Sequence, residues 1–169
     1  MRVLLTVGSH PYSFNRVVEA ADAWAATHPE HEVIMQISHC TYRPTHAARQ
    51  FDLMELEEFQ GLFASADVVI SHASSGPVLM ARRSGIPLVV VPRQKRFGES
   101  FNDHQVHFSE AIRGASQMQE FVLDIRDLGP AVDRAVEKRR AGAAYEPHLL
   151  KQRLVATIAA FVESAGRDQ

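Results

Sequence analysis

Short continuous apolar runs alternate along this chain with stretches whose apolar residues recur every three or four positions. "RVLLTVG" is a run of the first kind, and "SFNRVVEAADAWAATHPE" is of the second, with Phe14, Val17, Val18, Ala21 and Trp24 at helical spacing. The pattern predicts a strand, a loop and a helix. The same order returns as "HEVIMQIS", a polar loop through "HCTYRPTHAARQ", and a helix near "LMELEEFQGLFASA". It continues through "DVVIS", "SGPVLMARRSG", "IPLVVVP" and "NDHQVHFSEAIRGA". The pattern then weakens: "QEFVLDI" reads as a last strand, "LGPAVDRAVEKRRAG" as a helix closed by Gly142, and "HLLKQRLVATIAAFVESAG" as a terminal helix with Leu150, Leu154, Ile158 and Phe161 on one side. Strands this uniformly apolar belong to a parallel sheet covered on both faces, so the expected fold is α/β, a Rossmann-like open sheet.

In such sheets ligands bind where the carboxyl ends of strands meet loops leading into helices. The unusual residues concentrate there. "VGSHPYSF", "QISHCTYRP", "SHASSGP" and "PRQKRFGESFNDHQ" each follow an apolar run, so four loops are expected to share one rim.

The 169 residues fit one domain, with residues from about 143 to 169 as a C-terminal helical extension. With 18 basic against 20 acidic residues there is no general field to attract nucleic acid or an anionic bilayer, and any bound anion must be held locally. No stretch approaches the ~20 apolar residues of a membrane span, the first residues do not read as a signal peptide, and a lone Cys40 offers no intrachain disulfide; the expected address is cytoplasmic.

In "SHASSGPV" a helix is expected to begin around Pro77, capped by Ser75 or Gly76, because proline suits the first helical position. The unbonded amides of a first turn suit a phosphate, and small residues from Ala73 to Gly76 permit close approach. His72 adds a hydrogen-bond donor for an anionic oxygen. Capping alone accounts for the same serines equally well. In "VPRQKRFGESFNDHQ" the side chains of Asp103 and Gln105 suit vicinal hydroxyls of a sugar, while Asn102 or Asp103 also reads as a plain N-cap.

Other chemistries lack their signatures. "GSHPYSFNR" is neither G-x-G-x-x-G nor a Walker-type loop. Nine histidines invite a metal reading, above all His39, Cys40 and His46, but there is no paired cysteine motif and no HExxH, and no metal is expected. A G-x-S-x-G elbow is absent, which argues against a serine hydrolase.

Taken together, "VLLTVGSHPYSFNRVV", "MQISHCTYRP", "ADVVISHASSGPVLMARRSGIPLVVVPR" and "RFGESFNDHQVHFSEAI" resemble the donor-binding, C-terminal half of GT-B glycosyltransferases, in the glycosyltransferase family 28 C-terminal group. The resemblance covers residues 1 to about 113. It is similar in particular to the small catalytic subunits of two-component enzymes: bacterial exopolysaccharide and capsule subunits, and the dolichol-linked N-acetylglucosaminyltransferase subunit.

This implies a subunit that binds a UDP-sugar donor, with no further cofactor. It would transfer the sugar with inversion to a polyprenol-linked acceptor brought by a separate membrane-anchored subunit, and lie peripheral to the inner membrane through that partner. The resemblance assigns Gly8 and Ser9, with His10, to the loop around the diphosphate, and His72, Ser74, Ser75 and Gly76 to phosphate and ribose. Arg93 is expected near the diphosphate or acceptor, and Asn102, Asp103, His104 and Gln105 at the donor sugar. The general base is unassigned; His10 is the candidate in this chain, and a partner's side chain the other source. Ser74 stands for a family glycine, Pro77 for a small hydroxyl residue and Met80 for a ribose-binding glutamate, which leaves a non-catalytic nucleotide-sugar-binding module as the alternative.

Overall fold

The computed structural model describes residues 1–145. Six parallel strands form one sheet: β1 (Arg2–Thr6), β2 (Glu32–Gln36), β3 (Arg49–Phe51), β4 (Val68–His72), β5 (Leu88–Val91) and β6 (Gln119–Phe121), in the order β3-β2-β1-β4-β5-β6. Five helices join them: α1 (Asn15–Thr27), α2 (Leu56–Ala64), α3 (Ser75–Ser84), α4 (His104–Ile112) and α5 (Leu128–Arg140).

Side chains alternate across each strand, and in the central strands β2, β1, β4 and β5 both sets are largely buried. Val3 and Leu5 of β1, and Val7 just after it, pack with Phe14, Val17, Val18 and Trp24 of the α1 region and with Val132, Ala135 and Val136 of α5. Leu4 points the other way, into a second cluster with Phe63 of α2, Val78 and Ala81 of α3, and the partly buried Phe108 and Ile112 of α4. Two layers of helix therefore sandwich the sheet, as the unbroken apolar runs require. Phe14 and Phe63 are fully buried, each stabilising the fold by about 1.5–3 kcal/mol relative to exposure.

Two elements depart from the sequence expectation. The polar stretch before α2 contains β3, a three-residue edge strand whose Arg49 and Gln50 are exposed, so it carries no apolar signature. Helix α3 begins at Ser75 with Ser74 as its N-cap, two residues before the expected start. Pro77 thus sits third in the helix, still within the first turn, where its missing N–H costs no intrahelical bond. The helix ends at Gly85, whose φ of 65° is the left-handed conformation that lets its amide reach the carbonyls of Ala81 and Arg82. The expected terminal helix, and residues 146–169 with it, lie outside the described residues.

The strand order reverses direction between β1 and β4, and the register pairs Thr6 with Ser71. The two loops leaving these strands diverge to opposite faces and open a crevice between them. No helix among the described residues is long and apolar enough to cross a membrane.

Candidate functional site

The loop after β1 is shaped by a residue that the sequence reading passed over. Gln36, the last residue of β2, is buried; its Oε1 accepts from Thr6 Oγ1 (2.8 Å) and from the amides of Val7 and Gly8 (each 3.1 Å). Its Nε2 donates to the carbonyls of Gly8 (3.0 Å) and Asp52 (2.9 Å). One amide side chain thereby holds the turn at Gly8 on both sides. A polar residue closing an apolar strand was the available signal. Gly8 itself has φ of 73°, and a Cβ built there would lie 2.7 Å from Cε1 of His72, so only glycine fits. Its amide is taken up by Gln36; among the described residues the amides of Ser9 and His10 carry no hydrogen bond, and Ser9 is exposed.

Across the crevice His72 ends β4. Its Nε2 lies 3.0 Å from Ser74 Oγ and its Nδ1 3.4 Å from Ser71 Oγ. Burial, reinforced by the positive charge of Arg93, pushes the imidazole down to about 4, so the ring is neutral at neutral pH and carries one N–H. Ser74 is turned toward this ring and makes no side-chain cap to the helix it precedes. The start of α3 consequently keeps its donors uncapped, with Ser75 and Gly76 exposed and nothing within 4 Å of a Cβ built on Gly76. Capping, the plain explanation for these serines, is not what Ser74 does.

Arg93 differs from expectation. It is fully buried: Nη2 donates to the Val7 carbonyl (2.9 Å) and Nη1 to those of Tyr12 (2.8 Å) and Glu99 (3.2 Å), with the guanidinium 4.5 Å from the Phe14 ring. Its Nη donors are turned into the protein, onto backbone carbonyls. The Arg93 amide donates to Gln105 Oε1 (3.0 Å), and the Lys95 amide to Asp103 Oδ1 (2.9 Å). Asn102 Oδ1 accepts from the His104 amide (3.2 Å), and His104 is exposed. One oxygen of each of Asp103 and Gln105 thus shapes the loop, while Asp103 Oδ2 and Gln105 Nε2 have no partner among the described residues. The connections after β1, β4 and β5 meet, Gly8 against His72 and Arg93 against the Val7 carbonyl.

His10 stacks on Tyr12 with centroids 5.2 Å apart, and its Nδ1 accepts weakly from the Tyr12 amide (3.4 Å). Burial and then the charge of Arg93 lower its pKa, favouring the neutral ring. The residues of "HCTYRPTH" diverge. His39 is exposed, Cys40 is buried with Sγ accepting from the Phe14 amide (3.2 Å), and His46 lies 3.4 Å from Asp22. Burial raises the Cys40 thiol, which keeps it unreactive.

Beside Gly8 and Ser9 opens a cavity of about 290 Å³, lined also by Thr6, Gln36, Leu53, Met54, Leu56 and Phe59. Leu53 and Leu56 are 57% and 69% exposed, an apolar mouth on an otherwise polar loop. The volume is at the small end for ligand pockets, enough for part of a ligand such as a planar heterocycle. The sequence reading missed this cavity; Leu53, just ahead of α2, is an apolar residue left 57% exposed by the core.

A family model described as the glycosyltransferase family 28 C-terminal domain matches residues 2–156. The UDP-N-acetylglucosamine transferase subunit ALG13 of Cryptococcus neoformans var. neoformans serotype D, in strains JEC21 and B-3501A, is 40% identical over 57 residues; the match takes in 32% of this chain and 26% of that protein. The match thus spans about a quarter of the length of these curated relatives. Among solved structures, the glycotransferase of kitacinnamycin superposes with a TM-score of 0.60 at 21% identity, covering 92% of this chain and 39% of its own. CalG4, the calicheamicin glycosyltransferase, superposes with a TM-score of 0.55 at 20% identity, covering 98% and 43%. These likenesses show the fold, shared with less than half of each of those chains. By the family match over nearly its whole length, the chain belongs to the glycosyltransferase family 28 C-terminal domain family.

Proposed function

We propose that this chain is the donor-binding subunit of a glycosyltransferase, taking a UDP-sugar at the β1/β4 crevice. The observation that carries the reading is the uncapped start of α3, where Ser74 turns to His72, the residue whose ring packs against Gly8 of the loop that continues into Ser9 and His10. A diphosphate held between those two sets of donors would meet the positive end of the helix dipole. The heterocycle would enter the cavity at Leu53, Leu56 and Phe59, and the sugar would extend toward Asp103 Oδ2 and Gln105 Nε2. The matched relative named a UDP-N-acetylglucosamine transferase subunit supports uridine as the base.

In the reaction an acceptor oxygen attacks the anomeric carbon as its bond to the diphosphate breaks, and the nucleoside diphosphate leaves with the bonding electrons. Charge grows on the phosphate oxygens, so preorganised donors at that point lower the barrier. Direct displacement inverts the sugar and requires a base for the acceptor proton. His10 is our candidate: its ring is neutral, and it would accept at Nδ1 on releasing the weak contact from Tyr12. We further read the acceptor as polyprenol-linked, presented by a membrane-anchored second subunit in exopolysaccharide or capsule synthesis, with this chain held at the inner membrane through that subunit.

A thermal-shift screen tests the donor assignment. At 100 times its Kd a UDP-sugar adds about 2.7 kcal/mol, which for a domain of this size raises Tm by roughly 5–10 °C. Stabilisation by UDP-sugars and UDP supports the reading; stabilisation by adenine nucleotides alone, or by none, contradicts it.

A further inference from the structure

Arg16, Arg93 and Glu99 form a buried group whose charges do not cancel. The Glu99 carboxylate, with 5% side-chain exposure, is taken up by Arg16, with Nε to Oε1 at 2.8 Å and Nη2 to Oε2 at 3.0 Å, and by the Gln94 amide at 3.0 Å. Among the described residues Arg93 beside them forms no salt bridge; its Nη groups donate to backbone carbonyls, and its buried Nε has no partner there. Two guanidiniums therefore share one carboxylate. Carbonyl dipoles stabilise the Arg93 charge without neutralising it, and burying such a charge costs several kcal/mol where an apolar side chain of similar size would cost little. The excess charge needs a counterpart.

The geometry says where that counterpart would sit. Nη2 binds the carbonyl of Val7, one residue before Gly8, and Nη1 binds that of Tyr12, so the guanidinium is bonded to both ends of the segment that carries the Ser9 and His10 amides. The chain as a whole carries a net charge of −2, so attraction for a polyanion has to be produced locally. From this we propose that Arg93 is a positioning residue of the diphosphate site, supplying positive potential from beneath the β1–α1 loop while its fork clamps that loop to the one bearing Gln105. The inference rests on the donor-site reading above.

Its field reaches the crevice: the Arg93 charge contributes to depressing both His72 and His10, from the ends of two different strands. The other ionisable groups facing it are Glu99 and Cys40. In a low-dielectric setting a charge one peptide behind a ligand is felt far more strongly than across water.

The test compares UDP with uridine by titration calorimetry in wild type, R93Q and R93K, together with the pH midpoints of His10 and His72 from imidazole NMR signals. R93Q keeps amide donors without the charge. It is expected to weaken UDP at least tenfold, to change uridine less than twofold, and to raise both histidine midpoints. R93K keeps the charge without the fork, and is expected to hold both midpoints low and the UDP-over-uridine preference within about threefold of wild type. Equal UDP affinity in R93Q and wild type overturns the proposal, as does an equal loss of UDP and uridine with unmoved midpoints. Should R93Q fail to fold, R93K decides alone, and loss of the preference in folded R93K overturns the proposal. A wild type that binds no UDP overturns the donor-site reading first, and this inference with it.

Discussion

The imidazole of His72 occupies the space that a side chain at position 8 would need: a Cβ on Gly8 would stand 2.7 Å from Cε1 and 3.1 Å from Nε2. The two loops of the crevice are thus in van der Waals contact through a residue with no side chain. Gly8→Ala combines a left-handed φ, costing about 1–2 kcal/mol for any L-residue, with displacement of the His72 ring. Melting is expected about 4–8 °C below wild type. UDP affinity should fall with it, because displacing the His72 ring alters both its contact with Ser74 and its packing against the loop that carries Ser9.

His72 makes stability depend on pH. Its folded pKa of about 4 lies below the ordinary value near 6.5, so the unfolded chain binds the extra proton more readily. The stabilisation is complete above pH 6.5 and disappears as pH falls toward 4, by an amount on the order of 2–3 kcal/mol. Urea unfolding at pH 7 and at pH 4 measures it. Wild type should lose that much more than His72→Gln over this interval; equal losses contradict the account.

Among the described residues Glu99 is the one carboxylate paired with Arg16, and its removal leaves that largely buried guanidinium without a counter-ion beside the fully buried Arg93. Breaking a buried pair in this way typically costs about 3–5 kcal/mol. Glu99→Gln should lower the urea midpoint accordingly, whereas a change within about 0.5 kcal/mol would mark the pair as dispensable.

Asp103 separates recognition of the sugar from recognition of the nucleotide. Its Oδ1 holds the Lys95 amide and its Oδ2 is unpartnered among the described residues. Asp103→Asn keeps an oxygen for the first contact and removes the second acceptor. UDP should bind as in wild type within about twofold, and the additional affinity conferred by an attached sugar should disappear, a loss of about 1–3 kcal/mol for a carboxylate bond to hydroxyls.

Leu53 is more than half exposed, so Leu53→Asp should leave Tm nearly unchanged. If the cavity beside Gly8 receives the heterocycle, uridine and UDP both weaken in that variant, read by calorimetry. Unaltered uridine binding would place the base elsewhere.

The sheet was legible because its strands are buried on both faces. Val68, Val69 and Ile70 all have 0% exposure, and no polar alternation interrupts them. The rim followed from the same reading, since Gly8, His72 and Arg93 lie at or within two residues of the carboxyl ends of β1, β4 and β5. Three features of the site were not legible. A guanidinium in a polar loop reads as a surface group, and two of the carbonyls that take up Arg93, those of Val7 and Tyr12, come from residues more than 80 positions away. The start of α3 was misjudged because Pro77 suits any position of a first turn, and only the tertiary contact to His72 explains why Ser74 does not cap. Gln36 looked like the ordinary end of a strand, and its five hydrogen bonds depend on the neighbouring β1 and on Asp52 beyond β3.

The central claim is that a diphosphate sits between the loop after β1 and the start of α3. Backbone amide NMR of the chain titrated with UDP addresses it most directly. The account predicts saturable shifts led by the amides of Ser9, His10, Ser75 and Gly76, strong with UDP and weak with uridine. Shifts that leave those four amides unmoved, or that uridine reproduces in full, would contradict it.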